Sequence, residues 1–277
     1  MANITAAEVN ELRKQTGAGM MDCKKALVEA DGDFQLAIEN LRKKGQKLAA
    51  SRADRDASEG IVLTCTSAQN DKAFMIMLNC ETDFVAKNQE MIDFASSLLD
   101  IAVQNNCKSA EEVLNQTVNG RKVSDLITDM IGKTGEKLDL AKADMVEGKI
   151  AFAYTHPGNR VGSIAALTVK DVKDIENIGK DVVMQIAAMA PIAIDKDDVC
   201  QTVINKEIEI GKDQAREEGK PEEMLEKIAL GKLNKFYKEN TLLNQEFIKD
   251  NKKTVGQMLT EAHKDLTVVA FKRYTLS

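Results

Sequence analysis

Two pairs of apolar segments, each joined by a short polar turn, constrain the fold of this chain more than any other sequence feature. The first pair is residues 61–66 and 73–80, and the second is residues 149–154 and 161–170. The second turn contains the sequence His-Pro-Gly-Asn-Arg at 156–160. Apolar runs on either side of a turn are typical of β-hairpins, so we expect two of them.

Segments with helical spacing of apolar residues follow each hairpin. We predict helices over 88–103, 123–131 and 174–190, and a closing helix at 255–263 before a strand at 267–274. The order hairpin, helices, hairpin, helix predicts an α+β fold with antiparallel sheets, built from a loosely duplicated unit. The length of 277 residues suggests about two domains.

The N-terminal region predicts a small three-helix module. Thr5 and Glu8 have the spacing of a capping box, and Gly17 is placed to end the first helix. A second helix is expected over 20–30, and a third from position 34 to about Gly45. A module of this size has a marginal core, so part of its apolar surface is available to another protein.

A basic stretch, residues 41–55, is interpreted as a connector to the first hairpin. Its single acid is Asp54. Two interpretations of the charge stay open: a solvated helix end, where basic side chains complement the helix dipole, or a linker that contacts RNA. The whole chain has 44 acidic and 38 basic residues and a net charge of -6, so we expect no nucleic-acid partner.

Residues 197–239 predict a helical hairpin. Apolar residues at near-helical spacing form two arms, and Gly219 and Pro221 between them suit the end of one helix and the beginning of the next. Because the remaining positions are rich in charge, we expect the hairpin to project as a two-stranded coiled coil and to contact another protein.

Composition argues against an enzyme that uses a cofactor or a metal. Aromatic residues make up 4% of the chain and Trp is absent, which leaves little material for a ligand pocket. The 5 Cys are scattered and there are 2 His, so neither a disulfide framework nor a metal site is expected. No apolar run is long enough to span a membrane and the N-terminus lacks the order of a secretion signal, so we expect a cytoplasmic protein with no membrane contact.

The strongest enzyme alternative is a phosphate-binding loop at Gly132, Lys133 and Thr134. Such a loop requires a glycine at position 127, which is Ile127, and a preceding strand in place of the predicted helix. We interpret the match as accidental and expect no nucleotide site and no catalytic residues. Nucleotide binding by the isolated chain would revive a nucleotidase that uses Lys133.

The segment 81–88, with the sequence ETDFVAKN, lies between the first hairpin and a predicted helix. Phe84 in this loop has two interpretations, ordinary core packing or an exposed recognition wedge, because loops on rigid elements often carry contacts. Beside a wedge, the carboxylate of Asp83 would compete for ligands at a partner's cation and phosphate site. The residues alone leave both interpretations open.

Two long motifs resemble the elongation factor Ts family of bacteria. They are TGAGMMDCKKAL at 16–27 and NCETDFVAK at 79–87. Further similarity at 154–162 and 254–259 extends the resemblance over nearly the whole chain.

The resemblance implies both a fold and a function. The fold has a ubiquitin-associated-like (UBA-like) helical module with its linker at 1–55 and a two-part core at 56–148 and 149–277, from which the coiled coil at 197–239 projects. The function is that of a guanine-nucleotide exchange factor, without a cofactor, that binds elongation factor Tu carrying GDP. It promotes GDP release in translation elongation by disturbing the Mg²⁺ and phosphate site. A homodimer or a 2:2 complex with the partner stays open.

The resemblance also implies a central group of partner contacts. Thr82, Asp83, Phe84 and Val85 match the loop that enters beside the partner's magnesium site, where the Phe is wedged between GTPase side chains. This match favours the wedge interpretation of Phe84 over core packing.

Other contacts implied by the resemblance lie on three further segments. The residues are Leu12, Met20 and Met21 for docking on the GTPase domain, Gly135 and Glu136 for a helix-end contact, and His156 and Gly158 for a more distant domain of the partner. The sequence departs from the family at Thr134, where an aliphatic residue is usual, which weakens the case for the helix-end contact. The best-known members also continue past the position of Ser277 into another helical module, so we expect that module's contact to be missing.

Overall fold

The computed structural model describes residues 4–276. In this range it contains eleven α-helices and ten β-strands, which confirms the predicted α+β class. The helices are α1 (Ala6–Thr16), α2 (Met20–Glu29), α3 (Phe34–Arg52), α4 (Asp83–Ala86), α5 (Gln89–Gln104), α6 (Ala110–Leu114), α7 (Val123–Thr134), α8 (Ile175–Met189), α9 (Gln201–Glu217), α10 (Glu222–Asn240) and α11 (Val255–Ala262). The strands are β1 (Glu59–Thr66), β2 (Lys72–Cys80), β3 (Thr117–Val118), β4 (Arg121–Lys122), β5 (Leu138–Glu147), β6 (Ile150–Thr155), β7 (Val161–Leu167), β8 (Glu246–Phe247), β9 (Asp250–Thr254) and β10 (Val268–Thr275).

The chain folds into two compact units. The first consists of the chain up to Leu63, Ile76–Asp144 and the C-terminal end, and the second consists of Thr64–Met75 and Met145–Thr275. Strands β1 and β2 therefore contribute residues to both units. The domain boundaries drawn from the sequence after residues 55 and 148 stay predictions.

The first three helices pack around a small apolar core. The predicted capping box is present, since the Thr5 hydroxyl accepts the Glu8 amide and the Glu8 carboxylate accepts the Thr5 amide. Gly17 ends α1 with a φ of 67°, a left-handed conformation that glycine adopts without steric cost. The buried core residues are Val9, Leu12, Cys23, Ala26, Leu27, Ala30 and Ala37.

Helix α3 is longer than predicted, and the connector interpretation of residues 41–55 is wrong for most of that stretch. The helix continues through Gly45 to Arg52 and packs against α7. A Cβ atom at Gly45 would lie 3.3 Å from the carbonyl oxygen of Thr128, and one at Gly132 would lie 3.3 Å from the Gly45 Cα. The glycine lets two helices approach closely, and this packing overrides its weak helix propensity.

One sheet has the strand order β1-β2-β5. Its first two strands are the first predicted hairpin, whose turn is closed where the Ser67 amide donates to the Lys72 carbonyl at 2.9 Å. The sequence did not predict β5. Its buried residues Leu138 and Leu140 alternate with polar positions, but acidic and basic residues interrupt the apolar pattern farther along the strand.

The second predicted hairpin is confirmed in a sheet with the order β10-β7-β6, in which neighbouring strands are antiparallel. Helix α8 lies on this sheet, and Gly179 allows it to approach the ring of Phe152. The turn between β6 and β7 is closed by the His156 amide, which donates to the Val161 carbonyl at 2.8 Å. The turn is therefore held at the end of two paired strands.

Helices α9 and α10 form the predicted helical hairpin. They approach closely at Gly211, where an added Cβ would lie 3.1 Å from the Ala229 Cα. Small buried residues line their contact together with Leu225 and Leu233. The coiled-coil description of this hairpin stays a prediction.

Among residues 4–276, no helix combines the length and apolar character needed to cross a membrane.

Candidate partner-binding site

The segment that follows β2 is a short helix, so the prediction of a loop at 81–88 is wrong in part. Thr82 is its N-cap, and the Thr82 hydroxyl accepts the amide of Val85 at 3.4 Å. The amide of Ala86 donates to the Thr82 carbonyl at 3.2 Å. Local capping by a Thr therefore organises this one turn as helix α4.

Phe84 projects from α4 into solvent. Its side chain is 83% exposed, and no other large apolar side chain in the described part of the chain is as exposed. Core packing is therefore excluded for this residue. Burying a Phe side chain stabilises a protein by about 1.5–3 kcal/mol, so leaving it in water forgoes a large contribution to folding. Such an exposed aromatic residue on an ordered turn is typical of an interaction site.

A charged pair, Asp83 and Lys87, lies beside Phe84. The Asp83 carboxylate accepts a hydrogen bond from the Lys87 ammonium at 2.6 Å, and this bond lowers the pKa of Asp83. Asp83 therefore carries its negative charge at neutral pH. Val85 is half-buried beside it. The turn thus presents one apolar ring beside a carboxylate that is paired with a lysine.

The end of α7 supports this turn from beneath. Gly135 ends that helix with a φ of 76°. The following residue, Glu136, accepts two hydrogen bonds from Thr82, one from the amide at 3.0 Å and one from the hydroxyl at 2.6 Å. Sequence motifs placed Thr82 and Glu136 in separate contact groups, and the structure brings them together.

Glu81 is a site residue that sequence analysis missed. Its carboxylate accepts the Lys137 amide at 2.7 Å, two hydrogen bonds from Arg52 at 2.8 and 3.0 Å, and one from Arg55 at 3.0 Å. The Lys137 amide, followed by the two guanidinium groups, lowers the pKa of Glu81 from 4.5 to about 2, against the opposing effect of burial. The sequence offered one signal for this contact. Arg52 and Arg55 end the basic stretch 41–55, and their charges favour an acidic side chain nearby.

Replacing Glu81 by Gln tests this charge through acid denaturation. The folded-state pKa lies below the ordinary value, so the carboxylate stabilises the fold above pH 4.5, and this stabilisation is lost as the pH falls toward about 2. We expect the wild type to exceed Glu81→Gln in free energy of unfolding at neutral pH, and the difference to shrink below pH 4.5. Chemical denaturation across this pH range measures it. A difference that stays constant with pH would contradict the assignment.

Cys80 lies directly before this cluster but has no chemical role in it. Its thiol is buried and donates to the Thr82 carbonyl at 3.1 Å. Burial, with the nearby charge of Glu136, raises the pKa of Cys80 to about 12. Since the thiolate is the reactive form of cysteine, this residue contributes packing and one hydrogen bond.

The three predicted contacts on the N-terminal module separate into two kinds. Met20 and Met21 begin α2 and are 52% and 64% exposed. Leu12 is completely buried in the core of the module. The expectation that the Leu12 side chain faces a partner is therefore corrected, because its helix turns that position inward against α2 and α3. Leu12 supports the surface that the two methionines present.

His156 and Gly158 lie in the exposed turn between β6 and β7, in the second unit. The Tyr154 hydroxyl and the His156 Nδ1 are 2.8 Å apart, and their rings meet edge to face. Gly158 has a φ of 91°, and a side chain added there would meet open space. This turn is accessible and ordered by its own hydrogen bonds.

Comparison with known proteins identifies the family. A sequence profile described as Elongation factor TS matches residues 81–277. The protein named Elongation factor Ts from Christiangramia forsetii is 52% identical over 276 residues and covers 100% of both chains. The proteins of the same name from Cytophaga hutchinsonii and Chlorobaculum parvum are 51% and 42% identical, over 100% of this chain and 100% and 99% of their own. The chain belongs to the elongation factor Ts family.

Membership of the elongation factor Ts family confirms the resemblance carried by the two motifs. The chain is a translation elongation factor and not a catalytic enzyme. The family profile begins at Glu81, the first residue of the cluster that supports α4. The relatives extend the similarity through the N-terminal module as well.

The position of Lys133 and Thr134 in the structure excludes the phosphate-loop alternative. Lys133 and Thr134 are the last two residues of α7, and the Thr134 hydroxyl donates to the Met130 carbonyl at 2.9 Å. The Lys133 ammonium forms an ion pair with Glu90. The positive ends of backbone dipoles that bind phosphate lie at the opposite end of a helix.

The RNA-linker alternative also loses its motivation in this family member. Arg52 and Arg55 are engaged by Glu81, and Lys44 pairs with Asp22 at 2.5 Å. The basic stretch is therefore largely a structural helix with internal partners.

Among residues 4–276, no cluster of His, Cys, Asp and Glu has the arrangement of a metal site.

Proposed function

We propose that this chain is a guanine-nucleotide exchange factor that binds elongation factor Tu carrying GDP and speeds GDP release by disturbing the partner's Mg²⁺ and phosphate site. The observation that carries the proposal is the solvent-exposed Phe84 beside Asp83 on a supported helical turn, in a chain of the elongation factor Ts family. We place this activity in the cytoplasm, where translation elongation takes place.

Exchange of this kind requires no covalent chemistry. The Phe84 ring gains apolar burial only where the partner's side chains open to receive it, so binding favours an opened nucleotide site. The Asp83 carboxylate brings a negative charge toward groups that hold Mg²⁺ and phosphate, where it competes for the cation and repels the anion. Both effects weaken the hold of the partner on GDP.

Thermodynamic linkage then makes the exchange cycle reversible. A factor that lowers the affinity of its partner for GDP is itself bound less tightly, by the same ratio, when the nucleotide is present. Rebinding of GTP or GDP therefore expels the factor, and the ternary complex is transient. The chain needs no nucleotide site of its own for this cycle.

Three further surfaces complete the proposed contact. Met20 and Met21 dock on the GTPase domain, since methionine adapts to irregular apolar surfaces. The end of α7 at Gly135 adds a contact near α4, and the turn carrying His156 and Gly158 meets a more distant domain of the partner. Sedimentation of the complex decides between the 1:1 and 2:2 stoichiometries.

The proposal is tested by mixing the purified chain with elongation factor Tu loaded with a fluorescent GDP analogue. We expect the release rate to rise with factor concentration and to saturate. Release at the spontaneous rate at every concentration would overturn the proposed function. An isolated chain that bound GDP by itself would revive the nucleotidase alternative.

Replacing both Met20 and Met21 by Ser is expected to raise the factor concentration needed for half-maximal GDP release by about tenfold or more, because two exposed apolar contacts are lost. The maximal rate at saturation should be retained, since the α4 turn is intact. Titration in the release assay measures both quantities. Met189→Ser, at an exposed methionine of α8, is the matched control. An unchanged titration curve for the double variant would contradict docking through α2.

A further inference from the structure

At the base of α4, residues 81–82 and residues 136–137 are joined by reciprocal hydrogen bonds. The Thr82 amide donates to the Glu136 carboxylate at 3.0 Å, and the Lys137 amide donates to the Glu81 carboxylate at 2.7 Å. Each pair supplies one carboxylate and one backbone donor to the other. We call Glu81, Thr82, Glu136 and Lys137 the crossed clamp.

One half of the crossed clamp fixes the first turn of α4. The Thr82 hydroxyl donates to Glu136 at 2.6 Å and also accepts the Val85 amide at 3.4 Å, so one side chain joins the cap of α4 to the clamp. Glu136 follows Gly135 directly, at the end of α7. The helical turn that carries Phe84 is therefore attached to a much longer helix.

The other half of the crossed clamp reaches α3. Arg52, the last residue of that helix, donates two hydrogen bonds to Glu81. The Lys137 ammonium donates to the carbonyls of Ala53 and Arg55 at 2.7 and 2.9 Å, just after the helix ends. Because α3 begins in the three-helix module, one continuous helix connects that module to the base of the Phe84 turn.

We propose that Glu81 and Glu136 are positioning residues that fix the direction of Phe84 relative to the N-terminal module. The inference rests on the proposed exchange function and deepens it. Both oxygens of Glu136 are occupied by Thr82, and those of Glu81 by Arg52, Arg55 and Lys137. The carboxylates are therefore directed at donors within this chain and act on the partner through Phe84.

A fixed direction matters because the two proposed contact surfaces act together. Binding at the methionines of α2 brings Phe84 to the nucleotide site already aligned, and a group ordered before binding loses less conformational entropy on binding. Misplacing an acting group by about 1 Å can cost on the order of 100-fold in rate. The loss should appear in the maximal release rate and not in the concentration that gives half of it.

The test compares Glu136→Gln, Phe84→Ala and the double variant in GDP release from elongation factor Tu at saturating factor. We expect Glu136→Gln to lower the maximal rate by about tenfold or more, with the half-saturating concentration retained. In the Phe84→Ala background the same substitution should lower the rate much less, because the clamp acts mainly through the ring. Glu176→Gln, on the exposed first turn of α8, is the matched control and should retain the wild-type rate.

Two outcomes overturn the positioning role while the exchange function stands. One is a wild-type rate for Glu136→Gln, and the other is an equal loss in the presence and absence of Phe84, which would indicate direct contact with the partner. Amide hydrogen exchange of the factor alone provides a readout independent of GDP release. We expect the amides of Ala86 and Lys87 to exchange faster in Glu136→Gln, and unchanged protection would overturn the inference even if the exchange function failed.

Discussion

Replacing Phe84 by Ala is expected to slow factor-stimulated GDP release from elongation factor Tu by about 10- to 100-fold. Burying a Phe side chain contributes about 1.5–3 kcal/mol, and each 1.4 kcal/mol corresponds to about tenfold in rate when the contact forms only in the opened state. The side chain is almost fully exposed, so its removal leaves no cavity in this chain. Stopped-flow fluorescence of labelled GDP at saturating factor measures the rate.

Two variants control this experiment. Phe84→Leu keeps apolar bulk and should fall between the wild type and Phe84→Ala. Ile192→Ala removes another exposed apolar side chain, in the second unit, and should retain the wild-type rate. If Phe84→Ala released GDP as fast as the wild type, the wedge role would be wrong, whatever the family.

Replacing Gly60 by Ala is expected to destabilise the first unit by about 1–3 kcal/mol or more, because overpacking at a rigid site is costly. An added Cβ would lie 2.3 Å from the Leu78 carbonyl oxygen and 2.8 Å from the Asn79 Cα. Both atoms belong to the backbone of β2, so no side-chain rotation relieves the clash. The displaced strand leads directly to Glu81, so the release rate should fall as well. Thermal unfolding and GDP release measure the two effects.

Gly231→Ala is the matched control for this substitution. Gly231 lies within α10, and an added Cβ there would meet no atom within 4 Å. Alanine is favoured over glycine in a helix by about 1 kcal/mol, so this variant should be slightly stabilised. Equal melting temperatures for Gly60→Ala and the wild type would show that β1 and β2 are not held as closely as the structure indicates.

Local patterns in the sequence were sufficient for most of the fold. Capping residues, turns with Gly and Pro, and regular apolar spacing predicted both hairpins, the helices of the N-terminal module and the helical hairpin. The errors arose where tertiary packing decides. Gly45 was expected to end α3, but it allows that helix to pass close to α7 and continue to Arg52. Strand β5 was missed because charged residues interrupt its apolar pattern.

Sequence analysis found those residues of the candidate site that lie together in one short motif. The motif containing Asp83 and Phe84 identified the exposed turn, and the motif containing Met20 and Met21 identified an exposed helix start. The support beneath the turn was not visible, because Glu81 meets Arg52 across 29 residues and Lys137 across 56. Leu12 was expected to dock on a partner, but its side chain is buried, because the motif match gave a residue and no direction.

The central proposal is that Phe84 acts on the partner's Mg²⁺ and phosphate site, and Mg²⁺ removal tests it most directly. GDP release from elongation factor Tu is measured at saturating wild type and saturating Phe84→Ala, each with excess Mg²⁺ and with a chelator. The account predicts a large rate difference between the two proteins in Mg²⁺ that shrinks toward equality once the cation is removed. A difference of the same size in both conditions would contradict it.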